Sequence, residues 1–196
     1  MEEHQDDWEE LWGERLAVLQ AQFGAADDAV GHAAVPLRLG PEAGGAADVL
    51  YFRTWTPGRL SVTAELLGFD DQPANALGQY ELAVCHRDDE GWGPNLISLL
   101  ANYTFDCALE PGETMGIESA VPDGSDVVAL LFCDLARFDF RDAPAGVLLC
   151  IGITREELDA CHADRGDEVL AALKAAGVFP YTDLRRPSVM PAVGVR

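Results

Sequence analysis

Apolar residues recur along this chain at two different spacings. In residues 6–23, Trp, Leu and Phe side chains return every three or four positions, the period that places one apolar face on an α-helix. The same spacing follows Pro94 and returns in residues 167–176, and proline is favoured in the first turn of a helix. Thr154 and Glu157 have the spacing of a capping box, which marks a helix N-terminus. The pattern therefore predicts four helices.

Other segments have the alternation or the continuous apolar runs of β-strands. Five strands are predicted, at residues 48–56, 59–67, 80–87, 126–133 and 146–153. A Pro-Gly turn joins the first two as a hairpin. The last two are nearly continuous apolar runs, which is typical of strands that are buried on both faces and covered by helices. The sequence thus predicts a sheet with helices packed against it.

The 196 residues have the length of one domain, and no linker or internal repeat divides them. We expect an N-terminal amphipathic helix in residues 1–24, one folded domain in residues 25–186 and a C-terminal tail in residues 187–196. The tail contains Pro, Val and Gly, and we expect it to be loosely held, as chain termini commonly are. Arg185 and Arg186 precede the tail, and we expect both to pair with the acidic body of the domain.

The net charge of the chain limits the kinds of molecule that it can bind. There are 34 Asp and Glu against 13 Lys and Arg, with Lys174 as the single lysine, and the formal net charge is −21. Such a protein repels nucleic acids and anionic lipids, whose recognition needs Lys and Arg at the phosphates. It attracts basic proteins, although solubility alone also explains an acidic composition. We expect a protein partner, either basic or an extended peptide, and no nucleic acid or membrane.

The expected location is the cytoplasm. No apolar run reaches the roughly 20 residues of a membrane span. The N-terminus is acidic and lacks the basic residues that begin a signal peptide. The five cysteines are an odd number without a Cys-x-x-Cys motif, which indicates free thiols in a reducing compartment rather than a disulfide framework.

None of the common catalytic, phosphate-binding or metal-binding motifs is present in the sequence. Cys85 and His86 are adjacent in a predicted strand, where neighbouring side chains point to opposite faces, so the two cannot form a catalytic dyad with each other. We therefore predict no catalytic residue, no metal site and no cofactor. The alternative is an enzyme whose site forms only on folding, from Cys85, His86 and an acidic side chain.

Several short blocks of the sequence occur in the order and near the spacings of one known family. They are Tyr80-Glu81-Leu82, Trp92 with Pro94 and Leu96, Leu100-Ala101-Asn102-Tyr103, Pro111-Gly112-Glu113, Gly146-Val147, Thr154 to Leu158 and Thr182 to Arg186. With these blocks, residues 25–189 resemble the suppressor-of-fused domain. The resemblance implies an α+β fold in which helices flank a mixed β-sheet.

The resemblance also implies a protein-binding domain without catalytic activity. The animal member of the family clamps an extended peptide between two lobes by adding it as a strand to sheet edges, a mode known as β-augmentation. Tyr103 stands where the family has a peptide-contacting tyrosine, and Glu113 stands where it has an aspartate. Trp92, which follows an acidic turn, is the third candidate partner-binding residue, since it is suited either to the core or to covering a groove.

This chain resembles the first lobe alone, and single-lobe members are similar to bacterial proteins proposed as immunity proteins of toxin systems. The resulting hypothesis is a bacterial immunity-type protein that sequesters a basic protein or toxin, because opposite potentials speed encounter. Two alternatives stay open at this point: the enzyme described above, and an acidic charge mimic that occupies a nucleic-acid-binding protein.

Overall fold

The computed structural model describes residues 3–39 and 43–191, and in these ranges it has one seven-stranded sheet and four α-helices. The helices are α1 (Glu3–Phe23), α2 (Trp92–Tyr103), α3 (Arg155–His162) and α4 (Gly166–Ala175). The strands are β1 (Ala26–Gly31), β2 (Val49–Phe52), β3 (Arg59–Thr63), β4 (Gln79–His86), β5 (Thr114–Gly116), β6 (Val127–Phe140) and β7 (Ala143–Thr154). Among these helices, none has the length and hydrophobicity needed to span a membrane.

The sheet is mixed. Its strand order is β1-β2-β3-β4-β7-β6-β5, with β4 and β7 parallel and all other neighbours antiparallel. The parallel pair lies at the centre, where both faces of the sheet are buried, and the two short strands β1 and β5 form the edges. The predicted α+β fold with a mixed sheet flanked by helices is confirmed.

Helices cover both faces of the sheet. One face packs against α1, α3 and α4, and it includes Leu149 and Ile151 of β7. The other face packs against α2, and it includes Leu148 and Cys150 of the same strand. Successive side chains of a strand point to opposite faces, so a strand covered on both sides needs apolar residues at every position. This is why β7 appears in the sequence as a continuous apolar run.

The predicted N-terminal helix shares the core of the domain. Leu19 and Phe23 of α1 are buried in the same cluster as Phe52 of β2, and the Phe23 and Phe52 rings lie 5.5 Å apart. Gly24 follows α1 with a φ of 88°, the left-handed conformation that commonly ends a helix. The helix α1 therefore contributes side chains to the hydrophobic core and is not a separate N-terminal extension.

The residues after Thr182 are held more firmly than the sequence indicated. Arg186 is buried and forms a bidentate ion pair with Glu157 of α3, with both N–O distances at 2.6 Å. Val189 donates its N–H to the same carboxylate at 2.8 Å, and Met190 is buried. The expectation of a loosely held tail is wrong for residues 187–190, because this carboxylate holds them, and residues 192–196 lie outside the described ranges.

Two adjacent arginines were expected to pair with acidic side chains of the domain, and one of them does so. Arg186 pairs with the acidic body as predicted, whereas Arg185 is exposed beside it. The predicted capping box that precedes α3 is confirmed as well, and the Glu157 carboxylate accepts from the Thr154 N–H at 2.9 Å. One buried glutamate thus caps α3 and holds the C-terminal segment.

Candidate protein-interaction site

The strand β5 has an open edge. The Glu113 carbonyl accepts from the Phe132 N–H at 3.0 Å, and the Ile117 N–H donates to the Val128 carbonyl at 2.9 Å. Because backbone groups alternate in direction along an antiparallel strand, the N–H and C=O groups of Thr114 and Gly116 point away from β6. In the described ranges no further strand pairs with that side of β5. Such an edge is a template for another extended chain.

A cavity of about 410 Å³ lies beside this edge. Its apolar lining includes Tyr103, Leu109, Met115 and Phe132, and Glu113 stands on its rim. We call this cavity the β5 groove. Tyr103 ends α2 and is 45% exposed, which makes it one of few large hydrophobic side chains that the described residues leave open to solvent. The groove therefore combines unpaired backbone groups with an apolar surface.

The structure brings Tyr103 and Glu113 to the same groove. The Glu113 carboxylate accepts from the Glu110 N–H at 3.1 Å across the tight turn that leads into β5. The pKa of the Tyr103 hydroxyl is raised, first by the Cys107 thiol and in smaller part by Asp106 and Glu113. The two residues carried over from the family therefore line one cavity, although 10 positions separate them in the sequence.

Trp92, the third candidate, lies elsewhere. Its indole N–H donates to the Ala120 carbonyl at 2.6 Å, and its ring meets the His86 ring edge-on with the centroids 6.4 Å apart. It is half-buried at the start of α2, and it is not among the residues that line the β5 groove. Trp92 therefore supports the other end of α2 rather than the surface around Tyr103.

Cys85 and His86 occupy opposite faces of β4, as predicted. Cys85 lies in the core against α1, α3 and α4, where burial raises the pKa of its thiol to about 12. His86 is buried on the α2 side, and its Nδ1 lies 3.0 Å from the Thr182 carbonyl oxygen. Gly93 is required beside it, because a Cβ there would overlap the imidazole Nε2. The structure keeps these two side chains apart.

Within residues 3–39 and 43–191, no three His, Cys, Asp or Glu side chains are grouped as a metal ion would require. A cavity of about 330 Å³ has His86 in its lining, together with four carboxylates and one guanidinium, those of Asp88, Glu90, Asp123, Asp183 and Arg185. Four carboxylates beside one guanidinium form a polar surface that repels anionic substrates.

Burial of His86 predicts sensitivity to mild acid. Burial lowers the pKa of His86, the Arg59 cation adds to that effect, and the Thr182 carbonyl, Asp88 and Glu90 oppose it. The unfolded chain takes up this proton near the ordinary value of 6.5, and the folded protein takes it up only at lower pH. The stability that depends on a neutral His86 is therefore complete above about pH 6.5. It is lost as the pH falls towards the lower pKa that His86 has in the folded protein.

We expect wild type to lose more stability than His86→Asn between pH 7 and pH 5, since an Asn amide still donates to the Thr182 carbonyl but does not titrate. Urea unfolding at a series of pH values measures the difference in slope. Equal slopes for the two proteins over this range would show that His86 does not resist protonation in the folded state.

The family model described as Suppressor of fused protein (SUFU) matches residues 63–187. The chain belongs to the suppressor of fused family. The matched range contains β4, α2, β5 and the β6–β7 hairpin, and so includes the whole β5 groove. No curated protein matches the chain in a sequence search.

Solved structures of the family have the same fold at low sequence identity. A SUFU homologue from Neisseria gonorrhoeae aligns with a TM-score of 0.67 and 15% identity, over 92% of this chain and 97% of that one. A chain of the Sufu–Fu complex aligns with a TM-score of 0.65 and 16% identity, over 90% of this chain and 89% of that one. Drosophila Suppressor of Fused aligns with a TM-score of 0.59 and 16% identity, over 77% of this chain and 45% of that one.

Proposed function

We propose that this domain binds a protein partner by pairing an extended segment of that partner with the open edge of β5, and that it has no catalytic role. The observation that carries the proposal is the open edge of β5, where the backbone groups of Thr114 and Gly116 point away from β6 and the adjoining β5 groove is lined by Thr114 and the exposed Tyr103. Backbone bonds along an edge supply affinity for any extended chain, and the neighbouring cavity selects among side chains.

Family membership and the fold support this proposal. One of the solved structures with this fold is a complex of Sufu with a second protein, Fu. In the present chain, the apolar lining and the rim carboxylate of Glu113 suit a segment that carries both apolar and basic residues. The candidate contacts are Tyr103 and Glu113, whereas Trp92 acts indirectly, by fixing the start of α2.

The partner that we propose is a basic protein, and sequestration of a toxin in the manner of an immunity protein is the specific form of the hypothesis. A net charge of −21 accelerates encounter with a cationic surface and slows encounter with nucleic acids or anionic lipids. The proposed site of action is the cytoplasm.

Gly116→Pro tests the β-augmentation directly. The Gly116 N–H points away from β6, so proline removes a donor from the open edge without removing a bond to β6, and edge strands tolerate proline. The probe is a fluorescein-labelled peptide selected on wild-type protein from a phage-displayed library of random dodecapeptides. We expect Gly116→Pro and Tyr103→Ala each to raise the Kd of this peptide about tenfold or more in fluorescence polarisation.

Gly116→Ala is the matched control, since it adds a side chain and keeps the N–H. Its Cβ would lie 3.1 Å from the Glu118 carboxylate, which is the end of a flexible side chain and can move. We expect a change in Kd of less than about threefold for this variant, within the range of ordinary surface substitutions. Equal binding by the proline, alanine and wild-type proteins would contradict β-augmentation at this edge.

A further inference from the structure

A second cavity continues the β5 groove around the end of β5. It has a volume of about 470 Å³ and lies between β6 and the turn that joins α3 to α4. It shares Gly112, Phe132 and Cys161 with the β5 groove, so the two cavities form one continuous surface. We call the second cavity the end groove, and its other lining includes Leu131, Cys133, Asp134, Asp164, Asp167 and Leu170.

The end groove borders a second stretch of open sheet edge. The strand β6 runs to Phe140, but β5 pairs with it only as far as Leu131, and two further backbone bonds extend this contact to Phe132. Beyond Phe132, no strand in the described ranges pairs with this side of β6. A chain that lies along β5 and passes Gly112 therefore meets the edge of β6 near Asp134.

The rim of this surface is acidic. Glu113, Asp134, Asp164 and Asp167 line the two cavities, and no basic side chain lines either of them in the part of the chain that the structure describes. The nearby arginines are engaged: Arg137 pairs with Asp134 at 2.5 Å, and Arg165 pairs with Glu168 at 2.7 Å. Lys174 of α4 is also near, since its charge opposes the rise that burial causes in the pKa of the Cys133 thiol, and its ammonium lies 5.1 Å from the centroid of the Phe179 ring. The three carboxylates of Glu113, Asp164 and Asp167 still outnumber this cation beside the apolar floor.

The geometry points to a basic residue in the bound segment, and we propose that the end groove takes this Lys or Arg side chain. The inference rests on the proposed function, because the segment is the one that pairs with β5. Its aliphatic stem lies on the apolar floor formed by Cys133 and Leu170, which share one face of the sheet, and its charged end reaches Asp164 and Asp167. The preferred partner segment is therefore extended and apolar where it follows β5, and basic where it passes the end of β5.

Asp164→Asn with Asp167→Asn tests this assignment. Asp164 has a φ of 58°, which Asn adopts as readily as Asp, so the neutral side chain preserves the turn. Asp70→Asn with Asp71→Asn is the matched control, since it removes the same charge from two exposed residues that line neither cavity. Random dodecapeptides displayed on phage are selected on wild type and on both double variants, and the Lys and Arg content of the selected peptides is compared.

We expect peptides selected on wild type and on the control to be enriched in Lys or Arg at one end, and the enrichment to be lost on the end-groove variant. A fluorescein-labelled wild-type-selected peptide should bind the end-groove variant about fivefold to tenfold more weakly at low salt, and this difference should shrink at about 1 M salt. The control should bind it within about twofold of wild type.

The outcomes separate the two proposals. If peptides are selected and lose binding on Tyr103→Ala, but keep the same basic content on the end-groove variant, the inference about the end groove is overturned and the proposed function stands. If the control loses the basic enrichment as fully as the end-groove variant, overall charge rather than this cavity selects the basic residue, which also overturns the inference. If wild type selects no peptide, both proposals are overturned.

Discussion

We expect Arg186→Ala to lower the free energy of unfolding by about 3–5 kcal/mol, because it leaves Glu157 charged, buried and without its cation. The Arg186 guanidinium donates twice to this carboxylate and once to the Gly152 carbonyl, at 3.0 Å. The substitution also frees the segment that contains Met190. Urea unfolding followed by circular dichroism measures the loss, since urea carries no charge and does not screen the ion pair.

Arg185→Ala is the matched control for this measurement. The two arginines are adjacent, but Arg185 is exposed, so we expect its loss to change the free energy of unfolding by no more than about 0.5 kcal/mol. Equal losses for the two variants would contradict the role of the buried pair.

The effect of Arg186→Ala should depend on pH. Burial alone raises the pKa of Glu157, but hydrogen bonds from Arg186, Val189 and Thr154 outweigh burial and hold the pKa below its ordinary value of 4.5. The stability that the Glu157–Arg186 ion pair contributes is therefore complete above about pH 4.5. It is lost as the pH falls through the lower pKa that Glu157 has in the folded protein. We expect the difference between wild type and Arg186→Ala to diminish in that acidic range.

The second large effect is expected for Glu81→Ala. The Glu81 side chain is fully buried and accepts from the Thr63 hydroxyl at 2.6 Å and from the Leu66 and Leu67 N–H groups at 2.9 Å. Burial raises the pKa of Glu81, and the charge of Arg15 and these hydrogen bonds oppose that shift. Alanine leaves two buried amides without their acceptor and removes the carboxylate whose charge most favours the buried Arg15 cation, so we expect a loss of about 3–5 kcal/mol in urea unfolding.

A double variant that also removes Arg15 tests whether the charge of Glu81 stabilises this buried cation. Arg15 is fully buried on α1, its Nε donates to the Leu67 carbonyl at 2.6 Å, and its guanidinium carbon lies 5.2 Å from the centroid of the Trp8 ring. If Glu81 compensates this cation, removing both charges should cost less than the sum of the single losses. We expect the double variant Glu81→Ala, Arg15→Met to show a coupling of about 1–3 kcal/mol, whereas additive losses would mean that the two charges do not interact.

Most of the fold was predictable from the sequence because it depends on local periodicity. The helices after Pro94 and Thr154 and the strand that contains Cys85 and His86 follow from spacing and capping residues alone. The opposite orientation of Cys85 and His86 also follows, since the strand repeat of two residues leaves no other arrangement.

Other elements have no local signal. The strand β5 has three residues, too few to establish a period, and it exists because β6 pairs with it. The β6–β7 hairpin turns at Arg141 and Asp142, whose φ angles are 50° and 61°. Two-residue hairpin turns of this kind favour the pairs Asn-Gly, Asp-Gly and Gly-Gly, and Arg141-Asp142 is none of these, so the sequence has no strong hairpin signal here. The strands around it accordingly extend past the predicted ends at residues 133 and 146.

For the candidate site, the sequence identified individual residues and the tertiary structure placed them. The resemblance singled out Tyr103 and Glu113, but their meeting at one groove depends on α2 ending beside β5. Trp92 was singled out in the same way, and its distance from that groove follows from its place at the other end of the same helix.

The α+β class, the family, the acidic character and the capped start of α3 follow from the sequence alone, because each of these depends on composition or on residues close together in the chain. The open edge of β5, the end groove, and the buried partners of Glu81 and Glu157 became visible in the folded protein. These features join segments that lie from 14 to 66 positions apart, such as Glu81 with Leu67 and with Arg15. Pairing at such separations depends on how the sheet and helices pack together, and spacing along the chain does not record it.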